Sequence, residues 1–234
     1  LLTLWLLLCC GAPAAENGRI LMVTEATFPP YEFRDGNTIL GIDPEIMREV
    51  ARRTGRELVI EDMSFDSVIT AVVSGKADVA ASGITVTPER RRKVDFSIPY
   101  VEAAQVIIVP KGSPIRKRED IRGKRIGVQH GATGDIYVTR NIQQPERFPN
   151  GALAVAAGKV DAAVIDQDPA KMYVAGNERL EILPEPLTSE SYAIAVRKGD
   201  TVLLQDINDT IAALKASGKL EEIRNAYAAM QVKS

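Results

Sequence analysis

Ser82-Gly-Ile-Thr-Val-Thr-Pro-Glu-Arg90 is the stretch that indicates the fold, because it passes from a buried strand directly into a helix. The apolar run before it, residues 77–81, is typical of a buried strand. Thr87 and Pro88 have the residue types of an N-cap and a first helical position, and Glu89 adds an acid to the first turn. We therefore predict a strand that ends in a polar loop, followed by a helix that begins at Pro88.

Two interpretations of this loop remain open from the residues alone. In the first, Gly83 and Thr85 offer N–H groups and a hydroxyl beside the guanidinium of Arg90, and together these groups bind a small carboxylate. In the second, the stretch is only a capped helix whose basic residues, 90–93, face solvent. The spacing of the residues favours neither interpretation.

Length and composition limit the class of protein. The chain has 234 residues, of which 45% are hydrophobic, so one large or two small domains with a sizeable core are expected. The formal net charge is −2, and the basic cluster at 90–93 has no interleaved aromatic residues for base stacking. We therefore expect no nucleic-acid partner.

The first fifteen residues form a segment of their own. Residues 1–8 are apolar apart from Thr3 and are too short to span a bilayer, and Ala12-Pro-Ala14 resembles a signal-peptide cleavage site. We interpret residues 1–15 as the remnant of a secretory signal. The alternative is a lipoprotein signal in which Cys10 is lipidated after cleavage. Both interpretations predict a periplasmic or otherwise extracytoplasmic protein that does not itself span the membrane.

Few residues are available for metal or cofactor chemistry. Both cysteines, Cys9 and Cys10, lie in the signal segment, so no disulfide or cysteine-based metal site is expected in the rest of the chain. His130 is the only histidine, which argues against a transition-metal site. The glycines around it match neither a Rossmann nor a P-loop pattern. We expect no metal and no cofactor.

Strand and helix patterns alternate along the chain. The strand patterns lie at 19–24, 57–61, 77–81, 101–109, 124–128, 161–165 and 192–196. The helix patterns begin at Asp43 and Asp66, both predicted as N-caps, then after Gly131, and at 151–157, 200–216 and 219–230. This alternation predicts parallel sheets with covering helices, the α/β class.

A short internal repeat suggests that this α/β unit occurs twice. Residues 75–78 read Gly-Lys-Ala-Asp and residues 158–161 read Gly-Lys-Val-Asp, each followed by small apolar residues. In both places a helix pattern ends and a buried strand pattern begins. We therefore predict two lobes of similar construction.

The motifs, taken in order, resemble those of the bacterial extracytoplasmic solute-binding proteins of the polar amino-acid uptake family (family 3), the substrate receptors of ABC importers. The resemblance runs from about Ile20 to Tyr227. It rests on Phe28-Pro-Pro-Tyr-Glu-Phe33, Gly41-Ile-Asp43, Phe65-Asp66, Ser74-Gly-Lys-Ala-Asp78, the stretch 83–90, Val94-Asp-Phe-Ser97 with Pro99-Tyr100, Gly123-Lys124, Val128-Gln129 with Gly131, and Asp161-Ala162 with Asp166. The chain departs from the family where Ala132 replaces a hydroxyl residue and where the C-terminal region lacks a Trp.

The resemblance implies a two-lobed periplasmic-binding-protein-like fold of type II, in which two α/β lobes are joined by two crossing strands, here expected at 104–109 and 191–196. Lobe 1 would comprise residues 16–104 and 196–234, and lobe 2 residues 105–195. A polar amino acid would bind in the cleft as the lobes close. The protein would act as a monomer and deliver its ligand to a membrane permease.

The resemblance also implies the roles of individual residues. The α-carboxylate would be bound by Arg90, helped by Thr85 and the N–H groups of Ala132 and Thr133. The α-ammonium would be bound by Asp166, with Ser82 or Gly83 and Thr85. The side chain would lie between Phe28 and Phe65, with Glu25 and Gln129 at its far end.

Three of these residues have ordinary alternatives. Phe65 fits a plain core position, Asp166 fits a cap of the segment leading into Pro169, and Glu25 fits an unremarkable loop acid. If Glu25 does lie in the cleft, its charge disfavours an acidic ligand, because a buried unpaired carboxylate requires a cation or a good donor. We therefore expect arginine first, then glutamine or lysine.

An enzyme on the same fold is the alternative from another class. The family has dehydratase relatives that act on cyclic carboxylates, so a cyclohexadienyl dehydratase-like protein is the specific candidate. Such chemistry requires an acid or base held over the substrate. Glu25 and Asp166 are the available carboxylates, and both are already assigned to ligand contacts. We therefore expect a binding protein without catalytic residues.

Overall fold

The structure is a computed structural model that describes residues 18–230. The predicted signal remnant, 1–15, and the predicted lipidation of Cys10 lie outside the described residues. Within the described range, no helix combines the length and the apolar character needed to cross a bilayer.

The strands are β1 (Arg19–Thr24), β2 (Thr27–Phe28), β3 (Glu32–Asp35), β4 (Thr38–Leu40), β5 (Glu57–Asp62), β6 (Val79–Ala80), β7 (Val94–Phe96), β8 (Val101–Ala103), β9 (Gln105–Pro110), β10 (Ile126–Gln129), β11 (Glu146–Phe148), β12 (Ala162–Asp166), β13 (Leu180–Ile182), β14 (Glu190–Tyr192) and β15 (Ala195–Arg197). The α-helices are α1 (Ile42–Thr54), α2 (Phe65–Val73), α3 (Pro88–Arg91), α4 (Thr133–Asn141), α5 (Gly151–Ala156), α6 (Gln167–Ala175), α7 (Thr201–Ala216) and α8 (Lys219–Ala228). A 3₁₀ helix spans Arg118–Ile121.

The sheet of lobe 1 has the order β5-β1-β6-β15-β7. Strand β1 is parallel to β5 and β6, whereas β15 runs antiparallel to its two neighbours. Successive side chains of a strand point to opposite faces, so Ile20 and Met22 pack in the same cluster as α1, while Val23 packs with residues of α2. Both faces are therefore covered by helices, and the ends of the strands are left to form a site.

The sheet of lobe 2, β11-β10-β12-β9-β13, repeats this arrangement of parallel and antiparallel neighbours. The aspartate of the sequence repeat makes the same kind of hydrogen bond in each lobe. Asp78 accepts a hydrogen bond of 2.8 Å from the N–H of Leu21, and Asp161 accepts one of 2.9 Å from the N–H of Arg125. In each case the aspartate ties the start of one strand to its neighbour, which confirms the prediction of two lobes of similar construction.

The lobes are connected by β8 and β14, which pair antiparallel. The predicted single strands at 101–109 and 192–196 are each interrupted, and the connecting strands lie at 101–103 and 190–192 instead of 104–109 and 191–196. The second interruption follows from new partners, since the N–H of Ala193 bonds to Ile84 and that of Ile194 to Ser97. We propose residues 16–104 with 196–234, and 105–195, as the limits of the lobes, with residues 193–195 moved to lobe 1 because they bond to Ile84, Ser97 and the lobe 1 sheet.

Two of the predicted helix caps are wrong. Helix α1 begins after Gly41, and Asp43 is buried in its first turn, where its carboxylate accepts from the N–H of Gly83 at 2.9 Å. Helix α2 begins at Phe65, with Ser64 as the N-cap position, so Asp66 lies inside the helix. The third cap is confirmed, because the Thr87 hydroxyl accepts from the N–H of Arg90 at 3.1 Å.

Gly83 allows a close approach that positions the loop after β6, and replacing it tests that packing. Its φ is +52°, and a Cβ there would lie 2.9 Å from Cε1 of Phe28. Gly36 is a matched control, since its φ is +58° but no atom lies within 4 Å of such a Cβ. We expect Gly36→Ala to cost about 1 kcal/mol in unfolding free energy and Gly83→Ala about 1–3 kcal/mol more, measured by urea unfolding. Equal losses in the two variants would contradict the packing argument.

Candidate functional site

Arg90 lies between the two lobes. Its backbone is held in α3 by the Thr87 cap, and its guanidinium donates to the carbonyl of Thr85 in lobe 1 at 2.8 Å and to that of Gly131 in lobe 2 at 3.1 Å. Burial lowers the pKa of Arg90, while the negative charges of Asp166 and Glu190 oppose that change. Residues 91–93 are exposed, whereas Arg90 is only partly exposed. The solvated basic face predicted for 90–93 therefore comprises 91–93 without Arg90.

Two donors predicted to face the cleft are used inside lobe 1. The N–H of Gly83 donates to Asp43, and the hydroxyl of Ser82 donates to Glu32 at 3.2 Å while accepting from the N–H of Glu25 at 3.0 Å. The expectation that the N–H of Gly83 is available to a ligand is therefore wrong. Carboxyl groups buried behind the loop accept these hydrogen bonds, because buried polar groups need hydrogen-bond partners.

The two carboxylates behind the loop are fully buried. Loss of hydration raises the pKa of Asp43 to about 6. Burial also raises the pKa of Glu32 well above its usual range, and the neighbouring Asp43 charge adds to the effect. Burial therefore disfavours a charge on either acid, and the pair anchors Ser82 and Gly83 through hydrogen bonds.

The predicted hydroxyl and N–H donors of the carboxylate subsite are also partly committed. Thr85 and Thr133 both donate their hydroxyl protons to the carboxylate of Glu190. The N–H of Ala132 donates to the carbonyl of Gln129 at 3.2 Å, which closes the turn before α4. The Thr85 hydroxyl, predicted to be free, is therefore engaged, and the contribution of the Ala132 N–H to the carboxylate subsite stays a prediction. Thr133 is the first residue of α4, and its N–H lies at the positive end of the helix.

Asp166 ends β12 and is buried. Its side chain accepts a hydrogen bond from the hydroxyl of Tyr192 and makes no capping bond to α6, so the alternative role as a helix cap is wrong. Burial raises the pKa of Asp166 to about 7, although the Tyr192 hydroxyl and the Arg90 charge act in the opposite direction.

A cavity of about 300 Å³ lies at the other end of the cleft. Its lining residues are Glu25, Ser64, Phe65, Asp66, Gln129, His130, Arg147, Phe148 and Pro149. The amide of Gln129 donates to the carboxylate of Glu25, as expected from their predicted proximity. Burial raises the pKa of Glu25 to about 7, and the charges of Asp62 and Asp66 add to this effect.

The charges around this cavity favour a cation. Arg147 lines it, but its guanidinium is held by Asp135 through hydrogen bonds of 2.8 Å. Asp66 contacts His130 at 3.3 Å. Glu25 accepts its one side-chain hydrogen bond within residues 18–230 from Gln129, a neutral group. The carboxyl group of Glu25 is therefore buried without a charged partner among the residues that line this cavity.

The two predicted aromatic residues occupy different surroundings. Phe28 is buried against Gly83 and lies 6.0 Å from the ring of Tyr31. Phe65 is partly buried, lines the 300 Å³ cavity and lies 5.4 Å below the guanidinium carbon of Arg90. Phe65 also packs against the lobe 1 core, so its two interpretations are compatible.

Several residues of the site were missed by sequence reasoning. They are Glu32, Asp43, Gln105, Phe148, Glu190 and Tyr192. Tyr192 had a weak indication as a polar aromatic residue at the start of an apolar strand pattern, but Glu190 and Phe148 lie in segments without periodicity. Within the part of the chain that the structure describes, no group of three or more His, Cys, Asp or Glu residues is suited to a metal ion.

Comparisons with known proteins identify the family and the fold of the chain. The sequence profile of the bacterial extracellular solute-binding proteins, family 3, matches residues 20–230. The chain is 31% identical to the arginine-binding extracellular protein ArtP of Bacillus subtilis, over 94% of this chain and 92% of that protein. It is 33% identical to a probable histidine-binding protein of Neisseria gonorrhoeae, over 94% of this chain and 87% of that protein.

Solved structures share the fold. The arginine-bound form of a truncated ArgBP from T. maritima is 44% identical to this chain and superimposes with a TM-score of 0.81, covering 84% of this chain and 96% of that one. The predicted family and the predicted two-lobed α/β fold are therefore confirmed.

The buried acid pair predicts how stability depends on pH. Burial raises the pKa of Glu32 in the folded state above its unfolded value near 4.5, so unfolding free energy falls as pH rises above about 4.5, by at most about 1.4 kcal/mol per pH unit for one such group. Glu32→Gln removes the titrating group and with it this dependence of unfolding free energy on pH. We expect Glu32→Gln to gain stability relative to wild type as pH rises above about 4.5, measured by urea unfolding. The exposed control Glu185→Gln should show no such trend, and an equal trend in both variants would refute a raised pKa for Glu32.

Proposed function

The chain belongs to the bacterial extracellular solute-binding proteins, family 3, and we propose that it binds L-arginine outside the cytoplasm and delivers it to the membrane permease of an ABC importer. The observation that carries the choice of ligand is the buried carboxylate of Glu25, which has a neutral partner and lines a cavity of about 300 Å³. A cationic side chain would neutralise this charge within the cleft.

The far end of the cleft suits a guanidinium in shape as well as charge. Phe65 and Phe148 line the same cavity and provide flat surfaces, on which a planar cation stacks favourably. Asp66 adds a second carboxylate to the lining. Lysine would supply only a point charge, and glutamine only a neutral donor. Glutamate or aspartate would place a second negative charge against Glu25.

The near end of the cleft complements an α-amino acid. Arg90 donates hydrogen bonds to two carbonyl groups. A guanidinium has five N–H donors, so further N–H groups remain for a ligand carboxylate. The N–H of Thr133, at the start of α4, favours the same anion. Asp166, buried and without a salt-bridge partner within residues 18–230, is our candidate for the α-ammonium.

Ligand contacts would come from both lobes. Glu25, Phe65 and Arg90 belong to lobe 1, whereas Gln129, Thr133 and Asp166 belong to lobe 2. Only an arrangement with the lobes together brings all of these groups to one molecule. Binding therefore favours closure about β8 and β14, the hinge type of domain motion.

We also propose that the site binds without catalysing a reaction. The carboxylates that an acid–base mechanism would need are engaged, Asp166 by Tyr192 and Glu25 by Gln129. The relatives described above are named as binding proteins. Incubation with prephenate or arogenate tests this directly, because a dehydratase would release product.

Isothermal titration with a panel of amino acids tests the proposal. We expect L-arginine to bind most tightly, ahead of glutamine, lysine and histidine, with no binding of glutamate. Glu25→Gln should weaken arginine by at least about thirtyfold, the loss expected when one partner of a desolvated charge pair is removed, and should change glutamine binding far less. Glu61→Gln, an exposed residue on the neighbouring strand β5, is the control and should leave the panel unchanged.

Two results would overturn this choice of ligand. One is a wild-type protein that prefers glutamate, histidine or a branched apolar amino acid. The other is a Glu25→Gln variant that retains full arginine affinity while folding normally.

A further inference from the structure

The carboxylate of Glu190 accepts hydrogen bonds from the hydroxyl groups of three threonines. Its Oε2 accepts from Thr85 at 2.7 Å and from Thr133 at 2.8 Å, and its Oε1 accepts from Thr188 at 2.8 Å. A carboxylate has no proton to donate in return, so the direction of all three hydrogen bonds is fixed.

These groups come from different parts of the fold. Thr85 lies in the loop after β6 in lobe 1, Thr133 begins α4 in lobe 2, and Glu190 begins β14, one of the two strands that join the lobes. Backbone hydrogen bonds hold Thr85 beside Glu190. The N–H of Val86 donates to the carbonyl of Ser191 at 3.0 Å, and residues 85 and 192 form a β-bridge. Glu190 is therefore positioned to contact both lobes from the connection between them.

The contact determines what the threonines can offer a ligand. A hydroxyl has one proton, and once it is donated the oxygen can only accept. Thr133 also accepts from the amide of Gln105 at 3.0 Å, which leaves it little further capacity. Thr85 keeps an accepting lone pair, and Asp166 lies near enough for the Glu190 charge to affect it. The Thr85 hydroxyl therefore presents an acceptor to the cleft, which suits the ammonium and not the carboxylate of a ligand.

We propose that Glu190 is a positioning residue that turns the Thr85 and Thr133 hydroxyls away from donating into the cleft, and so makes the Thr85 side of the site specific for the α-ammonium of the ligand. This proposal rests on the proposed function for the nature of the ligand. It assigns the carboxylate to Arg90 and the Thr133 N–H alone, and removes the Thr85 hydroxyl from that role.

Glu190→Gln tests the proposal, because the side-chain amide can donate a hydrogen bond to a threonine oxygen. The threonine hydroxyl can then rotate and donate its proton into the cleft. Three ligands separate the two ends of the amino acid: L-arginine, agmatine, which lacks the carboxylate, and 5-guanidinopentanoate, which lacks the α-ammonium. Displacement titrations should show arginine and agmatine weakened by the same factor, roughly tenfold or more, as for loss of a hydrogen bond to a charged group. Binding of 5-guanidinopentanoate should be unchanged.

The controls separate this role from a structural one. Glu102→Gln changes an exposed carboxylate on the paired strand β8 and should alter none of the three affinities. Thr85→Val removes the hydroxyl itself, and Glu190→Gln added to it should have a smaller effect than in the wild type, since the two act on one group. Equal weakening of all three ligands, weakening of 5-guanidinopentanoate with agmatine unchanged, or full additivity of the two variants would each overturn the proposal.

A second measurement does not depend on the ligand. Hydroxyl protons held by a carboxylate exchange slowly with water, so NMR should detect protected hydroxyl protons of Thr85 and Thr133 in the wild type and their loss in Glu190→Gln. If the wild type fails to bind arginine but shows these protons, the proposed ligand is wrong and the role of Glu190 in orienting the hydroxyls stands. If the protons exchange freely in the wild type, the role of Glu190 is wrong whatever the ligand.

Discussion

The guanidinium of Arg90 is the group on which the cleft depends, because it holds a carbonyl of each lobe at once. It is largely removed from water, and a charge in that position needs compensation from nearby groups. Asp166 and Glu190 supply it from lobe 2 and from the connecting strand. The guanidinium of Arg90 thus requires acids on the facing lobe, and the same acids restrict the charge of the ligand that the cleft can bind.

The chemistry of the cleft follows from its two buried carboxylates. Asp166 and Glu25 lie near opposite ends of the proposed ligand, each accepts from a neutral donor, and burial raises the pKa of each to about 7. A molecule with a cation at each end would give both carboxylates a charged partner, and Arg90 would bind the carboxylate beside the α-ammonium. A basic amino acid satisfies all three requirements, whereas a neutral or acidic one leaves at least one carboxylate without a partner.

Sequence patterns were sufficient for the α/β class, the repeat of the two lobes, the cap at Thr87 and the family. They failed where a long-range contact competes with a local rule. Asp43 has the residue type of an N-cap, but its side chain turns inward to Gly83, forty residues away. The donors of Ser82, Gly83 and Thr85 look available in the sequence, yet the acids that take their protons come from distant segments. The network around Glu190 could not be predicted for the same reason, since its members become neighbours only through the fold.

Proton release on ligand binding tests the central claim, that two buried carboxylates receive the cationic groups of arginine. A bound cation lowers the pKa of a neighbouring carboxylate, so groups that are mostly protonated at pH 6 must lose their protons on binding. Calorimetry in buffers of different ionisation enthalpy measures that number. The account predicts close to two protons released per arginine at pH 6 and almost none at pH 8.5. Tight arginine binding at pH 6 without proton release would contradict it.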